Sequence, residues 1–127
     1  MKHRFVSAVA DGGDSTLVRP QSNWNDTHIF GTASKSTSYG MTISDDVIFV
    51  TATATMTLPD PTTCAGQPFR IYNSISAGGT VTISPHASEV IYYSGNSSGA
   101  SSATLVNFAQ FMEFISDGTN WWVGASN

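Results

Sequence analysis

The sequence is poor in charge and contains a single cysteine. Lysine and arginine number five and aspartate and glutamate nine among 127 residues, so 11% of the chain is charged, against about 25% in an ordinary soluble domain. The five basic residues are spread along an acidic chain, which lacks the clustered Lys and Arg that bind a phosphate backbone. Cys64 alone can form no internal disulfide. We therefore expect no nucleic-acid partner, and a fold held together by packing or by partner chains.

Long apolar runs are also missing. No run approaches the roughly 20 residues that span a bilayer, and the opening residues MKHRFV lack the apolar stretch of a secretion signal. We therefore expect neither membrane insertion nor export. The seven Phe, four Tyr and three Trp argue against disorder because aromatic side chains bury much surface.

Hydroxyl side chains take the place of the missing charge, with 18 serines and 15 threonines in the chain. From about residue 39 onward, short runs of Thr, Val, Ile, Phe and Tyr alternate between turn residues, as is typical of strands. Residues 51–58, 69–75 and 80–84 alternate most clearly, and the Gly/Ser-rich segment 94–102 is expected to be an exposed loop. The pattern predicts an all-β fold, an antiparallel β-sandwich or a barrel-like meander.

Four of the predicted strands carry bulky groups on both faces: 47–50, 90–93, 111–115 and 121–123. A small sheet or sandwich has only one interior, so the second face must meet another chain or the N-terminal segment. We therefore expect an oligomer. The residues expected at its interface are Tyr92, Tyr93, Phe111, Glu113, Ile115, Trp121 and Trp122.

Two adjacent aromatic pairs, Tyr92–Tyr93 and Trp121–Trp122, lie on these strands. Because side chains alternate across a strand, one ring of each pair should point inward and one outward. The outward rings either pack against a neighbouring subunit or stack on a glycan, and the sequence leaves both interpretations open.

No catalytic, metal or cofactor site is expected. Cys64 lies in a Pro-rich turn without the flanking pattern of a thiol hydrolase, and the three histidines are far apart. Glycoside hydrolysis needs two facing carboxylates, and most acidic residues here lie in turn sequences. Glu113 alone stands in the middle of a strand, where an ion pair across an interface to Arg70 or Lys35 is expected. The sequence therefore favours a protein that is not an enzyme.

The first 38 residues differ from the rest because apolar side chains are sparse in them. Such a segment cannot bury enough surface to fold alone, so it must order on its own domain or on a partner. We predict two parts: an extended N-terminal arm and linker over 1–38, and a β-sandwich or barrel oligomerisation domain over 39–127.

Several stretches resemble small bacteriophage virion proteins. VADGGDSTLVRPQSNWNDTH (9–28) resembles their N-terminal opening, and MTLPD (56–60), GQPFRIYN (66–73), VTI (81–83) and SDGTNW (116–121) resemble landmarks of their β domains. The resemblance implies a homotrimer in the virion, assembled in the host bacterial cytoplasm, whose arm attaches to the particle. The arm residues assigned to attachment are Arg19, Pro20, Trp24, Asn25 and His28, although the same residues could instead pin the arm to its own domain.

The short chain favours a capsid decoration protein, that is, a minor capsid or head-fibre protein bound to the major capsid protein lattice. Two alternatives stay open. The first is a tail-fibre or baseplate component, and the second is a glycan-binding adhesion module on the virion surface.

Overall fold

The structure, a computed structural model, describes residues 31–127. These residues form eleven strands and one short 3₁₀ turn at Pro61–Thr63. The strands are β1 Thr32–Lys35, β2 Tyr39–Gly40, β3 Val47–Val50, β4 Ala54–Thr57, β5 Pro68–Asn73, β6 Val81–Ser84, β7 Ile91–Tyr93, β8 Asn96–Ala100, β9 Ala103–Leu105, β10 Phe111–Ser116 and β11 Trp121–Ser126.

The strands form two sheets. The large sheet has seven strands in the order β1-β3-β5-β10-β11-β7-β8, and the small sheet has four in the order β2-β4-β6-β9. The prediction of an all-β fold is confirmed. Buried side chains from both sheets join one hydrophobic core, so the two sheets lie on either side of it.

The first six strands alternate between the sheets, because odd-numbered strands enter the large sheet and even-numbered strands the small one. Along this part the chain winds as a short coil, and neighbouring strands in each sheet are parallel. The strand in the opposite sheet serves as the crossover that any parallel pair requires. The expected antiparallel meander is therefore wrong for this half of the fold.

The second half is mostly antiparallel. β10 lies between β5 and β11 and is antiparallel to both, while β9 closes the small sheet antiparallel to β6. β7 and β8 form a hairpin, and β7 joins β11 as a parallel neighbour. The sheets are therefore mixed, and the pairs formed by β7 to β11 are antiparallel except for β7–β11.

The strand boundaries correct three further expectations. Residues 94–102 were predicted to form a loop, but Asn96–Ala100 is β8, an edge strand that follows a turn with Gly95 at φ 83°. Within the alternating run 51–58 only Ala54–Thr57 is a strand, with Ala54 and Met56 buried. The arm and linker predicted over 1–38 contain β1, so the sheets begin before residue 39.

The core is filled by large apolar side chains from both sheets. Phe69 of β5 and Trp121 of β11 meet edge to face, with ring centroids 5.6 Å apart, a favoured geometry for aromatic pairs. Burial of these groups is the main favourable term in folding. The largest fully buried residues are Trp121, Phe69, Phe114, Ile48, Met56, Leu58, Ile71, Ile83, Ile91, Leu105, Val50 and Val81.

Candidate functional site

The face of the large sheet that points away from the core is partly exposed and rich in apolar side chains. Side chains alternate between the two faces along a strand, so the residues on this face are those whose neighbours in sequence face the core. We call this surface the outer face. It comprises Val47, Phe49, Arg70, Tyr72, Tyr92, Phe111, Glu113, Ile115 and Trp122.

Three aromatic rings cross the outer face side by side. The strand register places Phe49 opposite Tyr72 and Tyr72 opposite Phe111. The first two rings are stacked at 5.1 Å with 17° between their planes, and the second pair lies at 5.2 Å with 30°. We call Phe49, Tyr72 and Phe111 the aromatic ladder. Cross-strand aromatic pairs stabilise a sheet by a few tenths to about 1 kcal/mol each, yet Phe49 remains 37% exposed.

One ion pair lies beside the ladder. Arg70 Nη2 donates to Glu113 Oε2 at 2.7 Å across the β5–β10 pair, and the guanidinium lies 5.3 Å from the Phe111 ring centroid. The hydrogen bond to Glu113 raises the pKa of Arg70. The sequence suggested Arg70 as a partner of Glu113, but the pair forms within one chain rather than across an interface. The Lys35 ammonium lies over the Tyr39 ring instead.

A cleft of about 590 Å³ lies at the other end of the outer face, where β7, β8 and β11 meet the β10–β11 turn. Tyr92 and Trp122 stand side by side in it, with ring centroids 4.6 Å apart and 33° between their planes. We call this the aromatic cleft. It is lined by Tyr92, Tyr93, Ser94, Asn96, Ser97, Asp117, Asn120, Trp122 and Val123.

Asp117 fixes the geometry of this cleft. Its Oδ1 accepts hydrogen bonds from the backbone N–H groups of Thr119 and Asn120, both at 2.8 Å. Its Oδ2 accepts one from the indole Nε1–H of Trp122 at 2.7 Å. The backbone bond from Asn120, the indole bond and the Thr119 bond all favour the charged carboxylate and lower the pKa of Asp117. The exposed Trp122 ring is thereby held in one orientation.

The structure separates the aromatic residues that were predicted as interface residues. Trp121 is 0% exposed and Trp122 is 48% exposed, which confirms that this pair divides between the interior and the surface. Trp121 is enclosed within its own chain, where another chain cannot reach it. The Tyr pair does not divide in this way, because Ile91 takes the buried position, Tyr92 is half-buried and Tyr93 is 45% exposed.

The remaining predicted residues fall into two groups. Phe111, Glu113 and Ile115 all lie on the outer face, half-buried within the single chain. The predicted attachment residues of the arm lie outside the described part of the chain: Arg19, Pro20, Trp24, Asn25 and His28.

Sequence reasoning missed Phe49, Tyr72 and Asp117. Phe49 lies in the run 47–50, which was predicted to carry bulky groups on both faces, but that pattern does not single out Phe49. Tyr72 alternates with the buried Ile71 and Asn73, so only its cross-strand neighbours identify it as part of a ladder. Asp117 has the sequence signal of a turn residue, and nothing local indicates that its carboxylate reaches Trp122.

Among the described residues, the metal-ligating side chains are dispersed and the cysteine is buried. Within 31–127, no three His, Cys, Asp or Glu side chains are grouped so that they could hold a metal ion. Cys64 is buried, its Sγ–H donates to the Asp60 carbonyl at 3.4 Å, and burial raises the pKa of its thiol. No helix in the described part of the chain is long and apolar enough to cross a membrane.

Comparison of the chain with protein-family models, with curated proteins and with solved structures gives no match. The features of the chain that bear on its function are therefore the outer face, the aromatic cleft and the sequence patterns.

Proposed function

We propose that this protein is a structural component of a bacteriophage virion: a homotrimeric decoration protein, of the minor capsid or head-fibre type. The observation that carries the proposal is the aromatic ladder, on a sheet face that the other residues of 31–127 leave partly exposed. The N-terminal and β-domain sequences resemble phage virion proteins. This resemblance supports both the assignment to a phage particle and the homotrimeric state. A tail-fibre or baseplate position is the alternative.

The part of the outer face that carries the aromatic ladder suits contact with a second copy of this chain. Soluble monomers rarely expose large contiguous apolar surfaces, whereas interfaces between identical subunits are rich in aromatic residues and poor in charge. Arg70 and Glu113 neutralise each other within the chain, so two copies can approach without repulsion between like charges. This arrangement favours self-association through the ladder over binding to a charged partner.

The oligomer is tested by light scattering of the purified protein and of two variants. Tyr72→Glu places a carboxylate at the centre of the ladder, where burial at an interface would leave the charge unpaired. Phe108→Glu is the matched control, because Phe108 is 63% exposed and lies in the segment before β10 rather than on the outer face.

We expect the parent and Phe108→Glu to have three times the 13.5 kDa chain mass. Tyr72→Glu should be a monomer, with a circular dichroism spectrum like that of the parent. A parent that is monomeric at micromolar concentration would refute self-association through this face. An oligomer that persists in Tyr72→Glu would instead place the contact elsewhere, for example on residues 1–30.

The position of the protein on the phage particle is tested by a separate experiment. Electron microscopy of particles that carry a labelled copy should show the label on heads. Trp24→Ala in the full chain should remove the label from particles while the oligomer persists, because Trp24 is the proposed anchor of the arm. Label on tails and never on heads would contradict the capsid assignment.

A further inference from the structure

We propose that the aromatic cleft binds a neutral oligosaccharide, with a sugar ring packed against the exposed part of Trp122 beside Tyr92. This site goes beyond the assembly function, since it uses the β7–β8–β11 end of the sheet rather than the ladder.

The cleft has the size and chemical character of a small-molecule site. Its volume of about 590 Å³ lies within the usual range of ligand pockets, roughly 300–1,000 Å³. Such pockets combine apolar and aromatic walls with a few polar groups that fix orientation. Tyr92, Tyr93 and Trp122 supply the aromatic wall here, and serines, asparagines and Asp117 supply the polar groups.

The Trp122 side chain is preorganised for ligand binding. A flexible exposed indole would lose rotamer freedom when it binds, and that loss weakens affinity. The Trp122 indole is instead held at its edge by Asp117 Oδ2 at 2.7 Å and beside its plane by Tyr92. It still exposes 48% of its surface, and a rigid, exposed ring of this kind suits stacking against the flat C–H face of a pyranose.

The asparagines of the cleft leave donors available for sugar hydroxyls. Asn120 Oδ1 accepts from the backbone N–H of Val90 at 3.1 Å, and Asn96 Oδ1 accepts from that of Ser98 at 3.1 Å. These bonds use the oxygen of each amide and fix its orientation. The Nδ2 groups have no hydrogen-bond partner among residues 31–127, so they can donate to a ligand.

The charge of the cleft selects among sugars. No Lys or Arg is present among its lining residues, and Asp117 is its only ionisable carboxylate. A sialic acid or uronic acid would bring a second negative charge close to Asp117 without a cation to balance it. The geometry therefore points to neutral hexose or N-acetylhexosamine units.

The experiment is a titration of the full-length ¹⁵N-labelled protein, followed through its indole N–H signals. The probes are four neutral hexasaccharides, built from glucose, mannose, galactose and N-acetylglucosamine, with trigalacturonic acid as the anionic comparison. Trp121 serves as an internal control, because the ring next to Trp122 in sequence is completely buried.

We expect at least one neutral probe to shift the Trp122 indole signal while the Trp121 signal stays in place. Trp122→Ala should weaken that binding by at least about tenfold. Tyr72→Glu, in the ladder, should bind as the parent does, so a failed oligomer proposal and a failed sugar proposal give different results.

Three results would overturn the proposal. The first is that none of the neutral probes shifts the Trp122 signal at millimolar concentration. The second is that binding is unchanged in Trp122→Ala. The third is that trigalacturonic acid binds as well as the neutral probes. If, in addition, Trp122→Ala dissociates the oligomer while the parent binds no sugar, the ring is an interface residue instead.

Discussion

Replacing the buried Asn73 should cost a large part of the folding free energy. Asn73 is the last residue of β5 and is 1% exposed. Its Nδ2 group donates to the carbonyls of Gly79 at 2.9 Å and Leu105 at 3.0 Å, while its Oδ1 accepts from the N–H of Ile75 at 3.0 Å. One side chain thus joins a strand of the large sheet to β9 of the small sheet and to the turn before β6.

The magnitude follows from these three bonds. Each contributes about 1 kcal/mol net, and a buried polar group left without a partner costs about 1–3 kcal/mol. Asn73→Ala removes all three bonds and leaves buried groups unpaired, so we expect a loss of about 3–5 kcal/mol. The whole stability of a domain is about 5–15 kcal/mol, so this loss is between about a fifth and nearly all of it.

Urea unfolding at one fixed chain concentration, followed by tryptophan fluorescence, measures this loss. Asn96→Ala is the matched control, because it removes one exposed bond to Ser98 and should change the free energy of unfolding by less than about 1 kcal/mol. Asn73→Asp retains the acceptor for Ile75 but cannot donate to either carbonyl, so it should destabilise at least as much as Asn73→Ala. A loss below about 1 kcal/mol in Asn73→Ala would refute the reasoning.

Three further predictions concern glycine substitutions, acid unfolding and the reactivity of the thiol. Gly99→Ala should lower Tm more than Gly95→Ala, because both have φ near +80° but only at Gly99 would the added methyl carbon lie 2.5 Å from a side-chain carbon of Val90. Asp117 has a lowered pKa in the folded state, so its contribution to stability is complete above pH 3.8 and lost as pH falls further; acid unfolding of Asp117→Ala should lack that component. Cys64 should react with Ellman's reagent at pH 8 only after urea unfolds the chain, because its thiol is buried and its pKa raised.

The faces of the strands were predictable because strand alternation is a local property. Phe69 and Ile71 are buried and Arg70 between them is not, as the period of two requires. The parallel coil of β1 to β6 was not predictable, since alternation is the same in parallel and antiparallel strands and the direction depends on the distant partner. Strand β8 was missed for a related reason: at the sheet edge, backbone pairing suffices, and no large apolar side chain marks the strand in the sequence.

The candidate sites likewise have some features that the local sequence pattern predicts and others that depend on distant strands. Adjacent tryptophans on a strand must point to opposite faces, so alternation alone predicts that one of Trp121 and Trp122 is exposed. It does not predict which one, because that depends on the register of β11 against β10. The bond from Trp122 to Asp117 depends on how the β10–β11 turn folds back, and the ladder requires three strands that are far apart in sequence.

Most of the few acidic side chains of this fold have a common structural role, which is to accept hydrogen bonds in turns and loops. The described residues contain six acidic side chains, and five of them accept a hydrogen bond from a backbone N–H in a turn or a loop, where each replaces a missing strand partner. The sixth, Glu113, pairs with Arg70. The acidic groups therefore support the turns, and Glu113 on the outer face is neutralised within the chain. The five are Asp45, Asp46, Asp60, Glu89 and Asp117.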